Sequence, residues 1–269
     1  MNKVKLALVG KEVSKSASGK NHKFILGNLG YTCEYALVSL NETEFDKQIP
    51  SLLSEFDGFN VTMPYKAKII PYLQELCDSA TAFHSVNTVV CKTKKGYNTD
   101  GVGFMQMLKT AGVDLAGETV LVLGVGGAGK STAISLKQAG AKVFLYRKKL
   151  DELDKACQEI GVSRAKLQGE QYDVIINATG VGMNDTIGKS PVDERVFVGA
   201  SLAIDLIYRP AESEFLRLAK GAGLRVLNGK AMLFYQAYYS DCYYVGKEPS
   251  EVEAENLYIK YCEFVAKNA

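Results

Sequence analysis

The chain has 269 residues, of which 47% are hydrophobic and 23% charged, with a formal net charge of +2. That composition supplies a sizeable apolar core and excludes the strong whole-chain field with which a protein engages nucleic acid. No run of about 18 apolar residues occurs, so no membrane span is expected, and six scattered cysteines without a C-x-x-C pair suit neither a zinc site nor a disulfide framework.

From the N-terminus, the apolar part of MNKVKLALVG ends at Lys11 and Glu12, too soon for a secretory signal. A reducing, cytoplasmic compartment is therefore the simplest reading, and no metal is expected. VKLALV (4–9), YTCEYAL (31–37), GFNVT (58–62) and SVNTVVC (85–91) read as strands, with helical stretches near 20–29, 43–54 and 65–77. Beyond residue 100 the alternation becomes regular. TVLVLG is a strand and GAGKSTAISLKQAG a helix; KVFLYR is a strand and LDELDKACQEIG a helix. YDVIINAT and SLAIDLIY are strands, AESEFLRLAKGAG a helix and LRVLN a strand. The tail is helical: GKAMLFYQAYYSDCYYVG forms one helix, and Ser250 to Glu253, behind Pro249, reads as a capping box opening another. Such alternation implies α/β architecture, with parallel sheets covered by helices in two domains that meet near residue 100.

GVGGAGKST (124–132), directly after the strand TVLVL, matches two phosphate-binding patterns. Gly124, Gly126 and Gly129 fit the dinucleotide fingerprint G-x-G-x-x-G, whereas Gly124, Gly129, Lys130 and Ser131 fit the P-loop of nucleotidases and kinases. A P-loop also needs a later acid to help hold Mg²⁺, and Asp205 ends a suitable strand. A dinucleotide site needs the end of the next strand to meet the adenosine ribose. That point is Tyr146-Arg147-Lys148, whose charges suit the 2′-phosphate of NADP rather than NAD. Tyr146 offers a ring to stack on adenine.

Four clusters precede this loop: Ser16-Ala17-Ser18, Asn60-Val61-Thr62-Met63-Pro64-Tyr65-Lys66, Ser85-Val86-Asn87-Thr88, and Gly96-Tyr97-Asn98-Thr99-Asp100-Gly101. With them the chain resembles the shikimate dehydrogenase family. The resemblance continues through GVGGAG, INATGVGM (176–183), Asp205 to Pro210, and Gly229-Lys230-Ala231-Met232-Leu233 with Gln236. It covers nearly the whole chain and favours the dinucleotide reading over the P-loop.

The resemblance implies a substrate domain with a mainly parallel sheet, residues 1–100 plus 230–269, and a Rossmann-type NADP-binding domain, residues 101–229, with the C-terminal helices packing back on the first domain. The implied reaction is the reversible reduction of 3-dehydroshikimate to shikimate by NADPH. Lys66 is implied as acid and base at the reacting oxygen, with Asp100 as its partner. Ser16, Ser18 and Tyr208 are implied at the substrate carboxylate, and Asn60, Thr62, Asn87 and Gln236 at ring hydroxyls. NADP falls to Gly124, Gly126, Gly127, Ala128, Gly129, Tyr146, Arg147, Lys148, Ala178, Thr179, Gly180, Gly229 and Met232. The partner is a small molecule, not nucleic acid or membrane, and the protein a monomer or homodimer. The alternative within the fold is a dehydrogenase of quinate or a related hydroxy acid that uses NAD. Glu12, Lys15 and Gly19 stand where the family's first loop carries proline, histidine and proline.

Overall fold

The computed structural model describes residues 2–267. It divides into two compact units, one running to Gln106 and resuming at Phe234, the other spanning Met107–Leu233.

In the first unit, β1 (Asn2–Gly10) lies between β2 (Tyr31–Ser39) and β3 (Gly58–Val61), parallel to both. β4 (Glu75–Leu76), β5 (Thr88–Val90) and β6 (Lys95–Tyr97) complete a sheet of order β2-β1-β3-β5-β6-β4. β3–β5 and β5–β6 pair antiparallel, and β4–β6 parallel. The near-continuous apolar run of β1 follows from burial on both faces. Ala7 and Val9 meet Phe45 and Ile49 of α2 (Glu42–Glu55) on one face, while Val4 and Leu6 meet Leu26 of α1 (Ser18–Asn28) and Tyr244 on the other. Asn41 caps α2 by accepting the N–H groups of Thr43 and Glu44, and Glu44 accepts the Asn41 N–H in return.

The expected helix over 65–77 is absent. Residues 63–69 form turns, Ile70–Tyr72 a single 3-10 turn, and β4 follows. Pro71 has no N–H for a helix ladder, and the N–H groups of Gln74 and Cys77 go instead to the carbonyls of Lys94 and Gly96 on the β6 side. The short α3 (Asp78–Phe83) follows, with His84 in the left-handed region at φ 45 at its C-cap.

α4 (Asp100–Thr110) carries the chain out of this unit, and α8 (Lys230–Tyr244) brings it back to α9 (Glu251–Lys267). Both tail helices pack against α1: Phe24 makes edge contacts with Phe234 and Tyr261, and the Tyr261 hydroxyl donates to Asn21 at 2.7 Å. The box at the start of α9 is rerouted. Ser250 Oγ accepts the Glu253 N–H, but the Ser250 N–H donates to Tyr238, whose hydroxyl donates to Glu253.

The second unit contains β7 (Thr119–Leu123), β8 (Lys142–Tyr146), β9 (Ser163–Arg164), β10 (Val174–Asn177), β11 (Leu202–Asp205) and β12 (Arg225–Asn228). All pair parallel, in the order β12-β11-β10-β7-β8-β9. Counted from β7, this is the doubly wound arrangement in which the strand order reverses beside the first strand. α5 (Gly127–Gln138) and α6 (Leu150–Ile160) connect the strands on the β8–β9 side, and α7 (Glu214–Gly221) packs on β11 and β12. Among the described residues no helix is long and apolar enough to cross a membrane.

Candidate active site

Lys66 stands on a turn fixed from several directions. The Thr62 N–H donates to Val9, the Tyr65 N–H closes on the Thr62 carbonyl, and the Lys66 carbonyl accepts the Val86 N–H at 2.8 Å. Buried Tyr65 stacks on Phe45 and donates its hydroxyl to the Leu40 carbonyl at 2.6 Å. From this turn the Lys66 side chain reaches Asp100, with Nζ 2.5 Å from Oδ2. Asp100 opens α4, where the helix dipole favours a carboxylate. Its other oxygen accepts from Asn87 Nδ2 at 2.8 Å. The side chains of Lys66 and Asp100 are 18% and 9% exposed, so the pair is largely desolvated yet reachable.

A largely desolvated ion pair is a weak source of stability, because desolvation offsets most of the attraction. What distinguishes this one is its bed of neutral hydrogen-bonding groups. Asn87 Oδ1 accepts from the Thr99 N–H and the Thr88 hydroxyl, both at 2.9 Å. Asn60 Nδ2 faces the Asn87 carbonyl at 3.2 Å, with Thr88 and Ser240 beside it. Ser240 on α8 meets Thr88 at 2.7 Å and Thr99 at 3.2 Å. Asn60 and Asn87 are thus buried nodes with their amide atoms engaged inside the protein.

The remaining expected substrate residues of this unit are placed as follows. Ser16 and Ser18 lie at the start of α1, where the Ser16 hydroxyl donates to Ser18 Oγ at 3.1 Å and accepts the Ser18 N–H at 3.2 Å. Thr62 sits in the turn before Lys66, half-buried. Gln236 is half-buried on α8, against Gly103 of α4, where a Cβ would lie 2.8 Å from the Gln236 nitrogen. Lys15 is exposed. Tyr208 belongs to the second unit, on the loop after β11.

In the second unit the three fingerprint glycines answer three different demands. Gly124 turns the chain at φ 105, a region closed to most side chains. Gly126, the N-cap of α5, has open space where a Cβ would be, so a ligand can approach its backbone. At Gly129 a Cβ would lie 2.2 Å from the Gly124 carbonyl oxygen, so only glycine lets the helix sit this close to the strand. Gly127 and Ala128 complete the first turn of α5, whose N–H groups suit a phosphate.

Ala178, Thr179 and Gly180 follow β10, across the switch point from this turn, and a Cβ on Gly124 would meet the Ala178 carbonyl at 3.0 Å. Asn177 shapes their loop by accepting from the Thr179 N–H and hydroxyl and donating to the Val181 carbonyl. Gly229 packs against Leu206, whose carbonyl oxygen would lie 2.0 Å from an added Cβ, and Met232 is buried one turn further on.

The P-loop alternative finds no support in this geometry. Lys130 Nζ pairs with Glu159 of α6 at 2.5 Å instead of reaching over the loop. Ser131 is buried and its hydroxyl donates to the Ala128 carbonyl. Asp205 is fully buried and accepts from Asn177, the Ile207 N–H and Ser213, which leaves no face for a hydrated metal. Burial pushes the Asp205 carboxyl above its ordinary range, against the pull of those three donors.

Past β8, Arg147 pairs with Glu152 at 2.5 Å, and its buried Nε has no hydrogen-bond partner among the described residues. The unpartnered guanidinium nitrogen, the open approach at Gly126 and the close contact at Gly129 together fit a dinucleotide whose ribose carries a phosphate. Lys148 lies beside Arg147, exposed. Tyr146 packs against the apolar cluster of Leu121, Leu123 and Phe197 and lines a groove of about 1360 Å³ with residues 165–171, 190–193, 195, 196 and 198.

Sequence periodicity pointed to the glycine turn and the family motifs to Lys66, Asp100 and Asn87. It missed Tyr35, whose hydroxyl donates to Asn60, and Ser240. Neither sits near a recognisable motif. Thr88 and Thr99 stood inside quoted motifs, and their exclusively internal bonds mark them as scaffold.

The fold and glycine turn define the second unit as a member of the dinucleotide-binding class. Comparison with known proteins narrows this. Residues 8–89 match the model of the shikimate dehydrogenase substrate binding domain. The NADP(+) shikimate dehydrogenase of Caldicellulosiruptor bescii is 35% identical over 248 residues, 87% of this chain and 86% of its own. Shikimate dehydrogenase 1 of Peptoclostridium difficile superposes with a TM-score of 0.87 at 30% identity, over 97% of this chain and 98% of that one. The shikimate 5-dehydrogenase of Thermus thermophilus, solved with NADP(H) and shikimate, gives a TM-score of 0.86 at 30% identity, over 94% of this chain and 98% of that one. The chain belongs to the shikimate dehydrogenase family.

Proposed function

We propose that this protein is an NADP-dependent shikimate dehydrogenase, acting in the cytoplasm as a monomer or homodimer and interconverting 3-dehydroshikimate and shikimate. The observation that carries the reading is the Lys66–Asp100 pair, largely desolvated and set among neutral amides and hydroxyls. NADPH, held by the glycine turn and by Arg147 and Lys148, supplies the hydride when bound. As the carbonyl carbon accepts the hydride, negative charge develops on its oxygen. Lys66 donates a hydrogen bond to that oxygen, offsets the charge and delivers the proton; in the reverse direction it takes the proton from the hydroxyl. Asp100 keeps the ammonium aimed and accepts from a neighbouring ring hydroxyl, and Asn87 fixes the carboxylate from behind.

Ser16 and Ser18, at the N-terminal end of α1 where an anion is favoured, take the substrate carboxylate. Thr62 and Gln236 meet ring hydroxyls, and Asn60 contributes by holding Asn87 and Thr88. A site made of such neutral donors and acceptors rejects analogues that lack a hydroxyl. Ala178, Thr179, Gly180, Gly229 and Met232 shape the cofactor side, with Tyr146 beneath.

The test is an absorbance assay of purified protein with shikimate or quinate, each with NADP⁺ or NAD⁺. Fast reduction of NADP⁺ by shikimate, and much slower turnover in the other three combinations, is the expected result. Equal or better turnover with quinate and NAD⁺ would overturn the assignment.

A further inference from the structure

The hydrogen-bonded bed beneath Asp100 continues past Asn60 to a second buried pair. The Tyr35 hydroxyl on β2 donates to Asn60 Oδ1 at 2.9 Å. The Tyr35 ring lies flat on the His22 imidazole, with centroids 4.7 Å apart and planes 16° from parallel. His22 Nδ1 lies 2.6 Å from Asp241 Oδ1, and neither side chain is exposed. Three elements, α1, β2 and α8, thus converge to seat one phenol against one amide.

Stability is a poor explanation for this arrangement. Two polar side chains have been removed from water, and among the described residues His22 Nε2, Asp241 Oδ2 and the neighbouring Tyr244 hydroxyl have no hydrogen-bond partner. Each such orphan is unfavourable, and an apolar pair would fill the same space without it. What the pair does accomplish is to fix the plane and position of the Tyr35 ring.

The consequence for Asn60 is directional. Its amide oxygen meets a hydroxyl donor on the β2 side, and its nitrogen meets the Asn87 carbonyl, Thr88 and Ser240 on the other. Rotating the amide by half a turn would set its oxygen against the Asn87 carbonyl. From Asn87 the path runs through its own amide to Asp100 and so to Lys66.

We infer that Tyr35, seated on the His22–Asp241 pair, is a positioning residue for the proposed reaction. It touches no reacting atom; it orients Asn60, which steadies Asn87 and thereby the Asp100 carboxylate that aims Lys66. The inference rests on the reading of Lys66 and Asp100 as the proton-transfer pair.

Tyr35→Phe tests it by removing one oxygen while keeping the ring on His22. Two readouts are needed. In ligand-free protein, the side-chain amide NMR signals of Asn60 and Asn87 should shift in the variant, while those of Asn177 in the second unit stay in place. In the assay, kcat should fall by about 10-fold, the effect of one lost hydrogen bond, with the NADPH dissociation constant within about twofold of wild type. Asp241→Asn, which keeps the shape of the seat but not its charge, should move the same two amides by less. Unchanged Asn60 and Asn87 signals in Tyr35→Phe would overturn the inference, whether or not wild type turns over shikimate. So would shifted signals with kcat unaltered. A wild type without shikimate activity would instead overturn the proposed function, and the amide signals would still decide whether Tyr35 holds the network.

Discussion

Asp100 and Gly129 each stand in the first turn of a helix, α4 and α5, but in opposite manners. At Gly129 a side chain is what the site must lack, since a single added carbon would lie 2.2 Å from the Gly124 carbonyl oxygen. At Asp100 the side chain is the site, and it is held by Lys66, 34 positions away, and by Asn87. One unit meets its ligand with backbone and close approach, the other with side chains gathered from distant segments. A backbone site is local and tolerates little change of shape; a side-chain site is assembled over long range and fails by loss of chemistry rather than of fold.

If that division is right, the largest effect comes from Lys66→Ala. It removes the proton donor and the charge opposite the developing alkoxide, and kcat should fall about 10³-fold. The Tm should fall as well, because removing one partner leaves the Asp100 carboxylate largely desolvated without its cation, still held only by Asn87. A loss below tenfold would mean that the pair is only structural.

Gly129→Ala should act through shape. Overpacking of this kind costs about 1–3 kcal/mol, and NADPH affinity should fall with the displacement of α5, as read by nucleotide fluorescence alongside the Tm. Unchanged affinity would mean that the phosphate does not use this turn.

Arg147→Ala should weaken NADP⁺ by about 10- to 100-fold, the range expected for lost charge-assisted hydrogen bonds to a phosphate, and leave NAD⁺ nearly unaffected. The ratio of the two KM values reads this directly, and an equal change in both would remove the 2′-phosphate from the account.

The smallest effect on turnover, but one visible in stability, concerns Asp241. Burial pushes its carboxyl up to about 6, against the pull of His22. A carboxyl whose folded pKa exceeds its unfolded value stabilises the fold fully below the unfolded value, and that contribution is lost as pH rises through about 6. Relative to Asp241→Asn, wild type should therefore lose on the order of 2–3 kcal/mol between pH 4 and pH 7, measured by urea unfolding at both. A constant difference would mean that the carboxyl titrates normally.

The same contrast explains how much could be read before the fold was known. In the second unit every strand but the two-residue, exposed β9 is a short apolar run bounded by turn residues, and the glycine spacing marks the turn, so the other strands, α5 to α7 and the phosphate loop lay where periodicity placed them, while β9 carried no apolar signal. In the first unit the stretch 65–77 has helical periodicity, but Pro71 and pairing with β6 override it. The β5–β6 hairpin was hidden because its second strand, the three residues Lys95–Tyr97, carries no apolar run, although SVNTVVC before it reads as a strand. Lys66 and Asp100 gained meaning only as parts of a family pattern, since a lysine after a proline is ordinarily solvated surface. Tyr35 and Ser240 carried no signal at all. Asn60 and Ser240 are 180 positions apart, and nothing local to either announces a contact between them.

The most direct test of this division of labour is a crossed binding experiment by calorimetry, with NADPH titrated into Lys66→Ala and shikimate into Gly129→Ala. The account predicts near-wild-type NADPH affinity in the first and near-wild-type shikimate affinity in the second, although both variants are impaired in turnover. Loss of NADPH binding in Lys66→Ala, or of shikimate binding in Gly129→Ala, would contradict it.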